Sequence, residues 1–428
     1  MKALKLAIAG LGTVGAGVVR CLAERRAEIG ERAGCGFEIV GVAARDKNKK
    51  RSCDLEDIPW TGNAVALAAC DADVVVELIG GEDGPAYELC KAALNAKKHV
   101  VTANKALLAA RGAELAALAE SNGVALRFEA AAAGGIPIVK ALRESFIAHS
   151  VQAVRGILNG TCNYILTQME ATGNDFKDVL AEAQRLGFAE ADPELDVGGG
   201  DTAHKLAVLS SLAFGVKPDL KHMSVQGIRH ITYEDINFAR EFGYRIKLLG
   251  IARMTPMGLD QRVQPAMVKL GTPLADVDGA FNAVVADCGM AGPFFFEGRG
   301  AGRDPTASAV IADLVDIARG AAGPAFGIPA AALKDVRPPA PESRRSAFYL
   351  RFKVLDEPGV LAEIARKLAD AHVSIESMIQ RGRAPGEPVS IVMITHEAPE
   401  PSVARALKTI SASDKVLGDP NMIPMEAG

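Results

Sequence analysis

The chain has 428 residues, a length that predicts two or three domains rather than one core. Lys and Arg number 48 against 52 Asp and Glu, a formal net charge of -4, which excludes the basic footprint of a nucleic-acid binder. The seven cysteines (21, 35, 53, 70, 90, 162, 288) form no C-x-x-C pair, and no apolar run is long enough to span a membrane, so a cytoplasmic protein without a zinc site or an anchor is expected.

The first elements alternate. Residues 5–9 read as a strand ending in glycine, and 14–33 as a helix. Runs at 38–44, 73–79, 99–102 and 124–129 read as further strands, with helices at about 85–96 and 105–122. This pattern predicts a parallel, doubly wound α/β sheet over residues 1–130. Met1 and Lys2 lead straight into the first strand, with no leader-like segment.

Gly10-Leu11-Gly12-Thr13-Val14-Gly15 falls at the first strand-to-helix turn. The first glycine permits the turn, the second lets backbone approach a pyrophosphate, and the third lets helix and strand pack closely. A bare G-x-G-x-x-G arises often by chance; this context makes it a dinucleotide site. After the second strand come Arg45 and Asp46, then Lys47, Lys49, Lys50 and Arg51. An acid in first place would repel a 2′-phosphate. Arg45 comes first, which favours NADP(H); the adjacent Asp46 leaves NAD(H) open, and a solvated lysine loop is the plain alternative. Lys105 follows another strand end, where such sheets present ligands, although a cation opposes the dipole at a helix start. A surface lysine is the bland reading; contact with cofactor or substrate is the sharper one.

From residue 131 the pattern changes to mixed α+β, running to 328. Helices are expected at about 161–172, 175–186 and 201–214, and strands at about 151–158, 245–253, 259–269 and 281–297. A helix over 304–319 is expected to pack back on the dinucleotide unit. The segment EADPELDVGGGDTAHK brings Glu190, Asp192, Glu194, Asp196 and Asp201 into a Gly-rich loop before Lys205. Asp201 and Lys205 are four residues apart, on one helix face. A lysine on an apolar helix stripe is costly without a partner or a task. Carboxylates to hold an ammonium and a lysine to move a proton suit a small zwitterionic substrate.

A linker is expected over 329–346, rich in proline. The remainder, 347–428, reads as βαββαβ, a small independent domain of ferredoxin-like topology. Its loop Asp356-Glu357-Pro358-Gly359-Val360-Leu361 presents amides at a helix start, a natural seat for an amino-acid carboxylate.

Taken together, GLGTVG, VVVELIGG, VTANKALLA, ILNGTCNYIL, GFAEADPELDVGGGDTAHKL, GAGRDPTASAV and DEPGVLAEIA resemble the homoserine dehydrogenases, in the long monofunctional bacterial form with a C-terminal ACT domain. The resemblance implies a Rossmann NAD(P)-binding domain, a central substrate-binding and dimerisation domain, and an ACT regulatory domain. It implies reversible oxidation of L-homoserine to L-aspartate 4-semialdehyde, in threonine, methionine and isoleucine biosynthesis. By motif, Lys205 matches the proton donor/acceptor and Lys105 the second active-site lysine. Glu190 and Asp201 match homoserine-binding acids, with Asp196 as a supporting one. Gly187 and Gly302 match backbone positions at the cofactor. A sodium site falls on Glu129, Ala132, Gly134 and Ile136. The ACT resemblance places an effector, expected to be threonine, at Asp356, Gly359, Val360 and Leu361. A homodimer or homotetramer is implied.

Two rivals stay in view. Cys162, in GTCN, invites comparison with the nucleophile of phosphorylating semialdehyde dehydrogenases; a small buried cysteine is the bland alternative. A non-enzymatic amino-acid sensor would use the ACT domain and keep a silent Rossmann module. The presence of Lys105, Lys205, Glu190 and Asp201 together favours the enzyme. His204, next to Lys205 but about 100° around the helix, reads as structural.

Overall fold

The computed structural model describes residues 3–321, 323–381 and 387–426. Met1 and Lys2, part of the expected start of the chain, lie outside them.

The apolar run β1 (Leu4–Ala9) turns at Gly10 into α1 (Thr13–Glu24), followed by α2 (Arg26–Ala33). The single helix expected over 14–33 is broken at Arg25, which leaves the helical region at φ -113 and ψ 26. Then come β2 (Phe37–Ala43), β3 (Trp60–Thr61), β4 (Val74–Glu77), α3 (Pro85–Asn95), β5 (His99–Thr102), α4 (Lys105–Asn122) and β6 (Leu126–Arg127). All pairs are parallel, in the order β3-β2-β1-β4-β5-β6. Leu6 to Ala9 and Val74 to Val76 are wholly buried, as a sheet covered on both faces requires. The order reverses between β1 and β4, which opens a crevice at their carboxyl ends.

The central region holds α5 (Ile138–Lys140), β7 (Ala153–Ile157), α6 (Gly160–Thr172), α7 (Phe176–Arg185), α8 (Glu194–Val197) and α9 (Gly200–Phe214). It continues with β8 (Ser224–Val225), α10 (Tyr233–Glu241), β9 (Tyr244–Thr255), β10 (Gly258–Lys269), β11 (Phe281–Asp287), β12 (Pro293–Arg299) and α11 (Arg303–Ala318). The run expected over 281–297 is a hairpin of two strands. Strands β12-β11-β7-β9-β10 form an antiparallel sheet. Helix α11 packs on the dinucleotide unit: Ala307, Val310 and Leu314 share a buried cluster with Leu6, Ile8 and Val18.

The proline-rich segment 329–346 is packed down rather than free. The Ala330 N–H donates to the Glu120 carboxylate at 3.0 Å, and Arg344 pairs with Asp260 at 3.0 Å. Beyond it lie β13 (Arg345–Ser346), β14 (Phe348–Leu355), α12 (Val360–Asp370), β15 (Ile375–Gln380), β16 (Pro388–Thr395), β17 (Ala398–Pro399), α13 (Glu400–Ile410) and β18 (Asn421–Glu426). The order β18-β14-β16-β15 is the ferredoxin-like one. The expected independence of this domain does not hold. Strand β18 also pairs with β10, in parallel, at Met267–Met425 and Val268–Glu426. That ladder extends the cover that β8 gives the same edge of β10 at Arg262 and Val263, and merges two sheets into one. Among the described residues, no helix is long and apolar enough to cross a membrane.

Candidate active site

The crevice carries the dinucleotide turn. Gly10 has φ +93, and a Cβ there would sit 2.3 Å from the Leu78 carbonyl oxygen. A Cβ on Gly15 would sit 1.9 Å from the Gly10 carbonyl oxygen, so helix and strand touch through bare backbone. Among the described residues a Cβ on Gly12 would meet nothing within 4 Å, and α1 starts there without a side-chain cap. Open space over uncapped helix amides fits a pyrophosphate. Leu11 is buried, Val14 half-buried and Thr13 exposed. Arg45, two residues past the end of β2, is exposed. Arg51 is tied down: Nε donates to Leu11 O at 3.2 Å, Nη1 to Lys49 O at 2.7 Å, and the guanidinium lies 5.0 Å from the Trp60 ring. Gly302, φ +115, precedes α11, and Gly187, φ +79, lies exposed after α7.

Lys105 opens α4 at the carboxyl end of β5. Asn104 caps that helix, accepting from Leu107 N at 3.1 Å and donating to Gly81 O at 2.6 Å. Thr102 donates to Glu77 at 2.6 Å, fixing the strand ends. Lys105 is held against this frame and reaches the second unit. Its Nζ lies 3.2 Å from Asp201 Oδ1.

Asp201, in the first turn of α9, is the hub. Lys205 Nζ donates to Asp201 Oδ2 at 2.7 Å and to the Leu158 carbonyl at 2.6 Å. Asn159 Nδ2 donates to Asp201 Oδ2 at 2.8 Å and to Asp196 Oδ1 at 2.7 Å, while its Oδ1 caps α6 by accepting from Cys162 N. Asn282 Nδ2 donates to Leu158 O at 2.9 Å, aiming the carbonyl that Lys205 uses. Both Asp201 and Lys205 are buried. Burial pushes the Asp201 carboxyl up, but Lys205, Lys105 and the Asn159 bond outweigh it and hold it well below the usual carboxylate range. Asp196 goes the other way: burial raises it more than the Asn159 bond lowers it.

Four expected residues therefore converge: Lys105, Lys205, Asp201 and Asp196. Glu190 does not join them. It is exposed on a loop anchored by Gln184 Nε2 to Glu190 O at 2.9 Å and by Thr161 Oγ1 to Phe188 O at 3.0 Å. No local pattern in the sequence marks Asn159 or Asn282 as a member of this site. An asparagine between strand and helix signals an N-cap, but its carboxylate partners lie 37 and 42 residues away.

Three family models match this chain: "Homoserine dehydrogenase, NAD binding domain" over residues 10–129, "Homoserine dehydrogenase" over 137–315, and "ACT domain" over 348–413. A homoserine dehydrogenase of Pseudomonas aeruginosa is 43% identical over 427 residues, covering 98% of each chain. The chain belongs to the homoserine dehydrogenases. It is an oxidoreductase. Among solved structures, a homoserine dehydrogenase from Thiobacillus denitrificans shares 44% identity and a TM-score of 0.92, covering 100% of this chain and 99% of that one. One from Staphylococcus aureus shares 32% identity with a TM-score of 0.78, covering 99% of each.

Homoserine dehydrogenase chemistry needs no thiol, and Cys162 is placed accordingly. It is wholly buried, burial pushes its thiol well up, and Sγ donates to Asp196 O at 3.3 Å. That is a packed side chain, not a nucleophile. His204 is half-buried near Lys105; burial, then Lys105, lower its pKa.

Glu129, Ala132, Gly134 and Ile136 share one buried segment. Ala133 and Gly134 both take left-handed backbone, at φ 57 and 54. The Glu129 carboxylate accepts from Val139 N at 3.1 Å and Lys140 N at 2.7 Å. Burial, then the nearby Asp313, push it up to about 8. A buried acid so reluctant to ionise suits a neighbouring cation. Among the described residues no three His, Cys, Asp or Glu side chains cluster as metal ligands.

In the ACT unit, Gly359 (φ +94) leads into α12, and Asp356 N donates to Glu387 O at 3.0 Å. Val360 is buried and Leu361 half-buried.

Proposed function

We propose that Lys205, Asp201 and Lys105 manage the proton and charge in the reversible oxidation of L-homoserine to L-aspartate 4-semialdehyde. The observation that carries this is the Lys205 ammonium, held by Asp201 and the Leu158 carbonyl and bordered by Lys105. When bound at Gly10 to Gly15, with Gly187 and Gly302 alongside, the nicotinamide cofactor supplies or accepts the hydride. Lys205 gives a proton to the substrate oxygen as the aldehyde is reduced and takes it back in the reverse direction. Lys105 adds positive charge where that oxygen becomes alkoxide-like. Asp201 stays ionised, keeps both lysines in place and faces the substrate ammonium; Asp196 supports it through Asn159.

The exposed Arg45 and the lysines that follow it support NADP(H) over NAD(H). The raised Glu129 carboxyl and the left-handed turn at Ala133 and Gly134 support a monovalent cation, sodium, held by Glu129 and by backbone of Ala132, Gly134 and Ile136. The start of α12, without a side-chain cap among the described residues, supports threonine binding at Asp356, Gly359, Val360 and Leu361, across a homodimer or homotetramer.

The test is absorbance at 340 nm with L-homoserine and NADP+ or NAD+, on wild type and Lys205→Ala. Reduction that collapses in the variant supports the assignment. A fully active variant removes Lys205 from its role. Threonine that leaves the wild-type rate unchanged up to millimolar levels ends the regulatory part.

A further inference from the structure

Lys205 Nζ has two acceptors among the described residues, Asp201 Oδ2 at 2.7 Å and the Leu158 carbonyl at 2.6 Å. A lysine nitrogen is tetrahedral. Cε takes one direction and the two acceptors take two more, which leaves one. In the ammonium form that direction holds the third N–H. In the amine form the two N–H groups still reach both acceptors, and the same direction holds the lone pair. Giving and taking a proton therefore share one line, set by where the two acceptors stand. Lys205 keeps 11% of its side-chain surface open, whereas Leu158 is wholly buried.

Asp201 is fixed by Asn159 and Lys105. The Leu158 carbonyl is fixed by Asn282. Leu158 follows Ile157, the last residue of β7, and Asn282 precedes Ala283, the partner of Ile157 on β11. The two residues thus face each other just past the last pair of the ladder. There the side chain takes over from the backbone: Asn282 Nδ2 donates to Leu158 O at 2.9 Å, and with Lys205 it uses both lone pairs of that oxygen.

Asn282 is buried, and bare backbone lies on its amide: a Cβ on Gly300 would sit 2.0 Å from both Cγ and Nδ2. Its Oδ1 makes no hydrogen bond among the described residues. A buried acceptor left unmet costs stability that an apolar side chain of the same size would keep. Folding alone does not call for an amide here. The bond that Nδ2 makes goes to the carbonyl that holds Lys205.

The structure assigns Asn282 as a positioning residue for the proton transfer. It fixes the Leu158 carbonyl, and through it the direction in which Lys205 gives and takes its proton. This role rests on the proton handling proposed for Lys205.

The experiment follows the first turnover at 340 nm by stopped flow, with L-homoserine and whichever of NADP+ and NAD+ the wild type uses faster. It is run in H₂O and in D₂O on wild type, Asn282→Leu, Asn282→Ala and Lys205→Ala. Leucine keeps the size of the amide and removes the donor. Asn282→Leu is expected to slow the first turnover about ten- to a hundredfold, with KM for L-homoserine within about twofold of wild type. D₂O should slow this variant more than it slows wild type, because a misdirected proton transfer limits the rate. Asn282→Ala should lose less, since a water can enter and donate in place of the amide. A first turnover in Asn282→Leu as fast as in wild type overturns the inference. A slow one with the wild-type response to D₂O overturns it too, because it marks a structural role only. Active Asn282→Leu beside inactive Lys205→Ala strikes this inference alone; fully active Lys205→Ala strikes the role of Lys205 and this inference with it. If thermal melting shows Asn282→Leu unfolded, Asn282→Ala decides by the same criteria.

Discussion

Lys105 and Asp201 meet across the seam between the dinucleotide unit and the central unit, Nζ to Oδ1, at 3.2 Å. One carboxylate thus ties the sheet that presents the cofactor to the helix that carries Lys205. Asp201→Asn keeps the shape and removes the charge. It is expected to lower kcat/KM for L-homoserine by about 10²–10⁴, the range for a lost proton-handling group. Lys105→Met should cost less, because Lys205 keeps its carboxylate and its carbonyl. Steady-state kinetics on the two variants check this ordering; equal losses would mean that the two lysines act as one unit.

Much of this was legible in the residues. The strand, the glycines at 10, 12 and 15 and the helix are contiguous, so local pattern and function coincide. The Asp201–Lys205 pair is a one-turn relation that helix geometry dictates. What stayed hidden depends on distant chain. Asn159 bridges two acids only because β7 delivers it beside the start of α9. The fusion of β10 with β18 rests on two residue pairs more than 150 positions apart, with no sequence pattern to mark them. Glu190 matches a motif, yet its loop leaves the side chain in solvent.

Glu129 gives a pH prediction. Its carboxyl is raised to about 8 by burial and then Asp313, and Asp313 to about 6 by burial. A raised carboxyl contributes stability below its unfolded pKa and loses it as pH climbs through the folded one. Stability should therefore fall from about pH 4 to 8 through these groups. Tm measured from pH 5 to 9 should fall less steeply in Glu129→Gln than in wild type. Sodium chloride, against choline chloride, should restore wild-type Tm most above pH 8, where Glu129 is charged. A sodium effect equal in Glu129→Gln would place the cation elsewhere.

Arg45 and Arg51 should separate in cofactor kinetics. Arg51 is spent on backbone carbonyls and on Trp60, so it shapes the turn rather than reading the ribose. Arg51→Met is expected to raise KM for NADP+ and NAD+ alike. Arg45 is exposed and free to meet a 2′-phosphate. Arg45→Ala should raise KM for NADP+ roughly tenfold, one charge-assisted contact, and leave NAD+ nearly unchanged. A parallel rise for both cofactors in Arg45→Ala would remove it from the selection of the phosphate.

The join between the ACT unit and the catalytic unit is itself a buried charge site. Asp235 is wholly buried and completes the capping box of α10 with Thr232. Across the join, Arg351 reaches it with Nε at 2.6 Å and Nη2 at 3.0 Å, and Tyr349 donates to it at 3.0 Å. Burial raises the Asp235 carboxyl, but the Arg351 bond and charge outweigh it and hold it down. A lowered carboxyl contributes stability above its unfolded pKa and loses it as pH falls through the folded one, so this join should loosen in acid. Arg351→Met strands the carboxylate and is expected to cost about 3–5 kcal/mol in urea unfolding. Replacing both ends, Asp235→Asn with Arg351→Met, should recover part of that, because no unpaired charge remains buried. If the double variant is as unstable as the sum of the singles, the pair is not coupled, and the join depends instead on the β10–β18 ladder.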